Sequence, residues 1–262
     1  MDLQYLEVDE TLQWYHAVRA RCGSAVRDEI DHRFLASWIH HDLSIEGLIF
    51  RDNELLRGLE GRSGANWSEN RLLNKVRQLR QAIDFITVWS TSGKPFDLEF
   101  VKDIHRQLCE EDDEAAGRYR KDSGPSTAYR HDIVAPTGIS YHLRKLIADV
   151  EENGRHLHPI SMACRIHRQI MEVFPFQEDN GIVARLAMNA WLLRHGYPSA
   201  VFLANDRHRY FGAYLAHPSE FRNLVVSAMN KALDAKIRLA KSLQSDTKQV
   251  RTYAEASPRA AY

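Results

Sequence analysis

The sequence predicts an all-α domain interrupted by one β-hairpin. Three observations carry that class. Apolar residues recur at helical spacing along most of the chain, turn-forming residues gather in a few short stretches, and between Gly117 and Tyr141 the helical period vanishes. A chain of 262 residues, 44% of them hydrophobic, can bury a substantial core as one domain or a domain with a lobe.

The first helix is expected over about 26–41, where Ile30, Phe34 and Trp38 form one apolar stripe. A loop with Ser44-Ile45-Glu46-Gly47 follows, and Gly58, Gly61 and Ser63-Gly64 mark a second. Asn66 or Ser68 can cap a long helix over about 69–89, whose apolar face is Leu72, Val76, Leu79, Ile83 and Ile86. Ser90-Thr91-Ser92-Gly93-Lys94-Pro95 breaks it, and another helix covers about 98–111. Gly124-Pro125, Pro136 and Thr137-Gly138 bracket the hairpin, with Tyr129 to Val134 as a β-compatible run. Helical spacing resumes over about 142–152, and again after Pro159, where Ile160, Ala163, Ile166, Ile170 and Val173 share a face. An amphipathic helix over about 182–195, with Leu186, Ala190 and Leu193, is stopped by Gly196 and Pro198. The last helix covers about 220–242, and the tail from Gln244 is expected to fray or to make contacts outside the core.

Thirty-five basic and thirty-five acidic residues cancel, so no global charge argues for nucleic acid or an anionic membrane. No apolar run approaches the roughly 18 residues of a membrane span. The N-terminus lacks the basic and apolar regions of a secretory signal. Cys22, Cys109 and Cys164 are odd in number and without metal-ligand spacing, which fits reduced thiols in a cytoplasmic setting. His40 and His41 are adjacent and point to different helix faces, so the histidines read as solvated or packed side chains rather than metal ligands.

Chemistry concentrates in Phe174-Pro175-Phe176-Gln177-Glu178-Asp179-Asn180-Gly181-Ile182-Val183-Ala184-Arg185, the turn between two helices. The first amides of the second helix are unpaired and carry the positive dipole end, a nest for an anion. Gly181 allows close backbone approach, and Asn180 tolerates left-handed dihedrals while offering an amide. Arg185, one turn in, can reach back to a phosphate, and Glu178 could hold Mg²⁺ against phosphate oxygens. A purely structural interhelical turn is the alternative on these residues alone.

The same segment resembles the nucleotide-transfer loop of the Fic family, HPFx(D/E)GNGRxxR. Gly117-Arg118-Tyr119-Arg120, His158-Pro159-Ile160, Leu193 to Pro198, and Arg207 to Phe211 resemble Fic domains in order and spacing over roughly 200 residues. The resemblance implies a Fic-type helical domain with a β-hairpin flap. Its parts would be an N-terminal helical region over 1–95, a Fic-like core over 96–243 including a flap at 117–141, and a polar tail at 244–262. It also implies ATP or another nucleotide with Mg²⁺ as cofactor, and a protein target docked on the flap. Fic proteins with the full pattern move AMP from ATP to a target hydroxyl. Carried over, Glu178 takes the metal position, Asn180 and Gly181 the anion hole, and Arg185 the second arginine.

Three positions depart. Phe174 stands where the resemblance places a proton-accepting histidine, a loss worth roughly 10²–10⁴-fold in general-base catalysis. Asp179 replaces a glycine and adds a carboxylate near the phosphates, unfavourable unless Mg²⁺ or protonation offsets it. Ile182 replaces the first arginine and removes a charge-assisted contact of about 1.5–3 kcal/mol. Ordinary AMP transfer is therefore not expected.

Ser44 to Gly47 resembles the family's inhibitory motif (S/T)xxxE(G/N), with Glu46 and Gly47 matching and Asp42 in the Ser/Thr position. The resemblance implies that Glu46 pairs with Arg185; a solvent-exposed loop glutamate is the alternative. Ile133, Val134 and Pro136 fall on the flap, where a target segment would dock by β-augmentation, unless the hairpin is only structural. Tyr210 and Phe211 resemble residues near the nucleotide base and could equally be helix-core aromatics. Three functions follow: a nucleotide- or partner-binding pseudoenzyme, an atypical transferase whose base is His131 or Glu46, and an interaction or regulatory scaffold with a closed cleft.

Overall fold

A computed structural model describes residues 3–110, 112–122 and 132–256. Ten α-helices follow one another along them: α1 Leu3–Ala20, α2 Ser24–Ile45, α3 Asp52–Leu59, α4 Trp67–Thr91, α5 Leu98–Gln107, α6 Ile139–Asn153, α7 Pro159–Val173, α8 Asn180–Arg194, α9 Arg207–Leu215 and α10 Pro218–Ala256. No strand occurs among the described residues, and none of their helices is long and apolar enough to cross a membrane.

Local chemistry explains where these helices start and stop. Asn66 caps α4 by accepting from the Glu69 N–H at 2.9 Å, and Asp97 caps α5 by accepting from Phe100 N–H at 2.8 Å. Pro159 opens α7 at a first-turn position where its missing N–H costs nothing. Helix α2 ends in a Schellman turn: Gly47, at φ 90°, donates to Ser44 O at 3.0 Å and Leu48 donates to Leu43 O at 3.1 Å.

Helix α8 lies at the centre. Every residue from Asn180 to Leu192 is buried, so this helix is covered all round rather than amphipathic as expected. It packs against α7, α4 and α5. Each fully buried Leu, Val or Met there contributes about 1.5–3 kcal/mol of burial. Its polar residues are held individually. Asn189, for example, exchanges hydrogen bonds with the main chain of Ala200, at 2.8 and 3.2 Å.

The expected helices at α2, α4, α5, α6, α7, α8 and α10 are present, with shifted ends. Helix α5 stops at Gln107 rather than near 111, because the Gly117 N–H donates to His105 Nδ1 at 3.0 Å and folds the chain back over its last turn. Helices α1, α3 and α9 were not expected. Two of them have only 8 and 9 residues, too few for a period, and α1 buries just Tyr5, Val8 and Tyr15. The tail does not begin at 244 as a break, since α10 continues to Ala256. Residues 123–131 of the expected hairpin lie outside the described residues. The described remainder holds no strand: 132–135 have no regular structure and Pro136–Gly138 is a 3-10 turn.

Candidate functional site

The α7–α8 loop is pinned at both ends by residues in the left-handed region. Phe174 (φ 49°, ψ 61°) closes α7 and Asp179 (φ 58°, ψ 14°) opens α8. They are the only non-glycine residues with positive φ among those described. Each such conformation costs about 1–2 kcal/mol, so the surroundings must over-determine it.

Arg120 does so at the α7 end. Its buried guanidinium donates from Nε to Phe174 O at 2.6 Å, from Nη2 to Val173 O at 3.3 Å and to Val134 O, and from Nη1 to Asp122 O at 2.8 Å. Its own N–H donates to Pro175 O at 2.9 Å. Phe174 turns its ring into the core, where it is 8% exposed. Phe176 is fully buried and stacks on His105, with ring centroids 4.0 Å apart. Asn180 closes the loop: its Oδ1 accepts from Phe176 N–H and its Nδ2 donates to Phe176 O, both at 2.8 Å. The Asn180 side chain, expected to face an anion, instead shapes the turn that presents the α8 N-terminus. Ile182 lies in the core at 1% exposure.

At the other end, Lys75 of α4 places Nζ 2.6 Å from Asp179 Oδ2 and 3.4 Å from Leu108 O. A lysine, rather than Mg²⁺ or a proton, thus offsets the added carboxylate. Glu178 is exposed beside it. Glu178, Asp179, Lys75, His105 and Cys109 line a cavity of about 310 Å³. Burial holds His105 down to about 4 against the opposing pull of Asp179 and Asp113, so its Nδ1 stays an acceptor for Gly117. Burial, aided by Asp113 and Asp179, pushes Cys109 up to about 12 and keeps it a thiol. Among the described residues no cluster of three metal-type side chains forms. Mg²⁺ is commonly held by one or two carboxylates plus substrate phosphates, a mode that the exposed Glu178 suits.

Among the described residues Arg185 is the most buried charge, 1% exposed. Its Nη2 donates to Glu46 Oε1 at 2.8 Å and to Asp42 O at 3.3 Å, its Nε donates to Asp42 Oδ1, and its Nη1 donates to Tyr210 Oη at 3.3 Å. The Schellman turn at Gly47 is what swings Glu46 onto the guanidinium, and Arg207 Nε caps the preceding Ile45 O at 2.8 Å. Tyr210 is fully buried, with its hydroxyl 2.8 Å from His167 Nε2, so it sits in the core behind Arg185 rather than on an open wall. Burial pushes the Tyr210 hydroxyl up to about 12 and drives His167 well below its ordinary value. Burial also raises the Asp42 carboxyl, against the pull of Arg185.

Glu46, Arg185 and Tyr210 therefore meet. Asn180 and Gly181 lie together at the α8 N-terminus, and Glu178 and Asp179 stand at the adjoining cavity. Of the residues expected on a flap, Ile133 and Val134 pack partly against the core and Pro136 starts the 3-10 turn. Both main-chain groups of Val134 are engaged, its N–H by Glu172 O at 3.3 Å and its carbonyl by Arg120. His131 lies outside the described residues. Sequence reasoning gave no role to Lys75, His105 or His167 and did not foresee the contacts of Asp42 and Arg120. Asp42 had a signal, its spacing of four from Glu46 on one helix face.

Residues 95–192, which hold the Arg120 strut, the pinned loop and Arg185, match the Fic/DOC family model. Over that stretch the chain is similar to Fic domains. Its sequence is 26% identical to a "Protein adenylyltransferase Fic" of Aedes aegypti over 178 residues, 66% of this chain and 35% of that protein. It is 28% identical to the Nematostella vectensis protein of the same name over 143 residues, 53% of this chain and 33% of that one. The chain thus spans about a third of the length of these curated relatives. The Fic fold is shared with a Fic domain containing signaling protein from Bacteroides thetaiotaomicron, at TM-score 0.75 and 17% identity, covering 88% of this chain and 98% of that one. It is shared too with C. elegans Fic-1 (residues 134–508, E274G), at TM-score 0.72 and 20% identity, covering 90% and 74%.

Proposed function

We propose that this chain is a nucleotide- or partner-binding Fic-fold protein impaired in AMP transfer. Phe174 carries the reading. A phenyl ring at the position of the family's proton acceptor has no lone pair to take a hydroxyl proton, and it is packed in the core. Ile182 is buried as well and offers no charge to a phosphate.

What persists favours ligand binding. The α8 N-terminus with Gly181 supplies an anion nest, Arg185 stands one turn behind it, and Glu178 would hold Mg²⁺ against the phosphates of ATP or another nucleotide. The bound metal would neutralise phosphate charge. Lys75 already neutralises Asp179, so the added carboxylate does not by itself bar an anion. Glu46 acts in this reading as an internal anion that competes for Arg185, an autoinhibitory role. A protein target would approach the flap side, through Ile133, Pro136 and residues 123–131. Three free cysteines support a cytoplasmic setting.

The test is incubation with labelled ATP and Mg²⁺. Wild type is expected to yield no labelled protein, and Phe174→His combined with Asp179→Gly and Ile182→Arg is expected to label itself. Closure over Arg185 lowers that yield without abolishing it, because the open form is a minor population. Transfer by wild type that survives Phe174→Ala and fails on Glu178→Ala would overturn the reading in favour of an atypical transferase. No nucleotide affinity in any variant would leave a scaffold with a closed cleft.

A further inference from the structure

Arg185 is held by two carboxylates that do different work. Asp42 and Glu46 are spaced four apart at the end of α2 and face the same guanidinium. Asp42 is the inner one: its side chain is 5% exposed, against 20% for Glu46 and 2% for Arg185. Its Oδ1 accepts from Nε and its main-chain carbonyl accepts from Nη2 at 3.3 Å. Those two nitrogens form an edge with which a guanidinium grips an oxyanion in bidentate fashion. Glu46 accepts from Nη2, from the solvent side, at 2.8 Å.

We infer that Asp42 is the principal lock on Arg185 and Glu46 an outer second bolt, so that loss of Glu46 alone does not deliver Arg185 to a phosphate. Three observations converge on this. The inner pair is the less screened, so its attraction is the stronger per contact. The other oxygen of Asp42, Oδ2, is buried and meets no donor among the described residues, so none of them competes with the guanidinium for this carboxylate. Behind Nη1, Tyr210 is itself fixed by His167 at 2.8 Å, which holds the guanidinium plane in the orientation that Asp42 meets. A phosphate arriving at the α8 N-terminus must therefore displace Asp42, not only Glu46. The consequence for nucleotide rests on the cleft reading above; the lock itself does not.

Two measurements on the full chain separate those claims. The first is solvent exchange of the Arg185 Nε–H by ¹H–¹⁵N NMR in wild type, Glu46→Gly and Asp42→Ala. The inference expects the protected Nε–H to persist in Glu46→Gly and to be lost in Asp42→Ala, which removes the acceptor. Exchange at the bulk arginine rate in Glu46→Gly overturns it, and this arm needs no Asp42 variant to fold. The second is calorimetric affinity for Mg·ATP in wild type, both single variants and the double variant. Glu46→Gly should shift the affinity by less than about threefold, and the double variant should bind at least about tenfold more tightly than Glu46→Gly. Equal affinity of Glu46→Gly and the double variant overturns the inference. Absent affinity in all four, with the Nε–H still protected in Glu46→Gly, supports the lock and overturns the cleft reading.

Discussion

Arg120 grips the carbonyl of Phe174: its Nε lies 2.6 Å from that oxygen across 54 residues of chain. The same guanidinium reaches Asp122, Val134 and Val173, so one side chain fastens the α7–α8 loop to the end of α7 and to the segment that leads into α6.

Replacing Arg120 with alanine leaves several carbonyls without a donor in a buried place. A loss of about 3 kcal/mol is expected. Arg120→Lys should recover only part of it, because an ammonium cannot fork to carbonyls on different segments. Urea denaturation of the three proteins checks this, and an unchanged midpoint in Arg120→Ala would refute the strut.

Phe174 inverts the usual order of alanine and glycine. At φ 49°, Phe174→Gly loses the ring but releases the left-handed strain, whereas Phe174→Ala loses the ring and keeps the strain. Phe174→Gly should therefore be more stable than Phe174→Ala by about 1 kcal/mol. The reverse order in thermal melts counts against the observed backbone.

Lys75 and Asp179 form a partly covered pair, with side chains 21% and 15% exposed. A double-mutant cycle with Lys75→Ala and Asp179→Gly should give a coupling of about 0.5–1 kcal/mol, reduced in high salt. Asp179→Gly alone should cost little, since relief at φ 58° offsets the lost pair.

His105 titrates at about 4 in the folded chain and near 6.5 when unfolded. Between those values the unfolded chain binds the extra proton, so stability falls as pH drops from about 6.5 to 4. The His105 share of that fall reaches about 3 kcal/mol. His105→Gln, which can still accept from the Gly117 N–H, should flatten the curve over this window. Parallel urea titrations at pH 7, 5 and 4 measure the difference, and superimposable curves for both proteins would remove His105 as the cause.

The sequence by itself determined most helices, since a 3.6-residue period in segments such as α4 and α7 is a property of neighbours along the chain. It also located the turn from Phe174 to Asp179 and singled out Glu46 and Arg185 as a candidate pair. It misread α8 as amphipathic, because a helix covered on all sides by α4, α5 and α7 differs from a surface helix only in its partners. Short α3 and α9 gave no period to read. Only the tertiary structure decided which charges meet: Asp42 with Arg185 across 143 residues, Lys75 with Asp179 across 104, and Arg120 with Phe174 across 54. Local preferences act between neighbours in sequence, whereas a buried charge finds its partner only when packing brings distant segments together, and no spacing rule encodes that meeting.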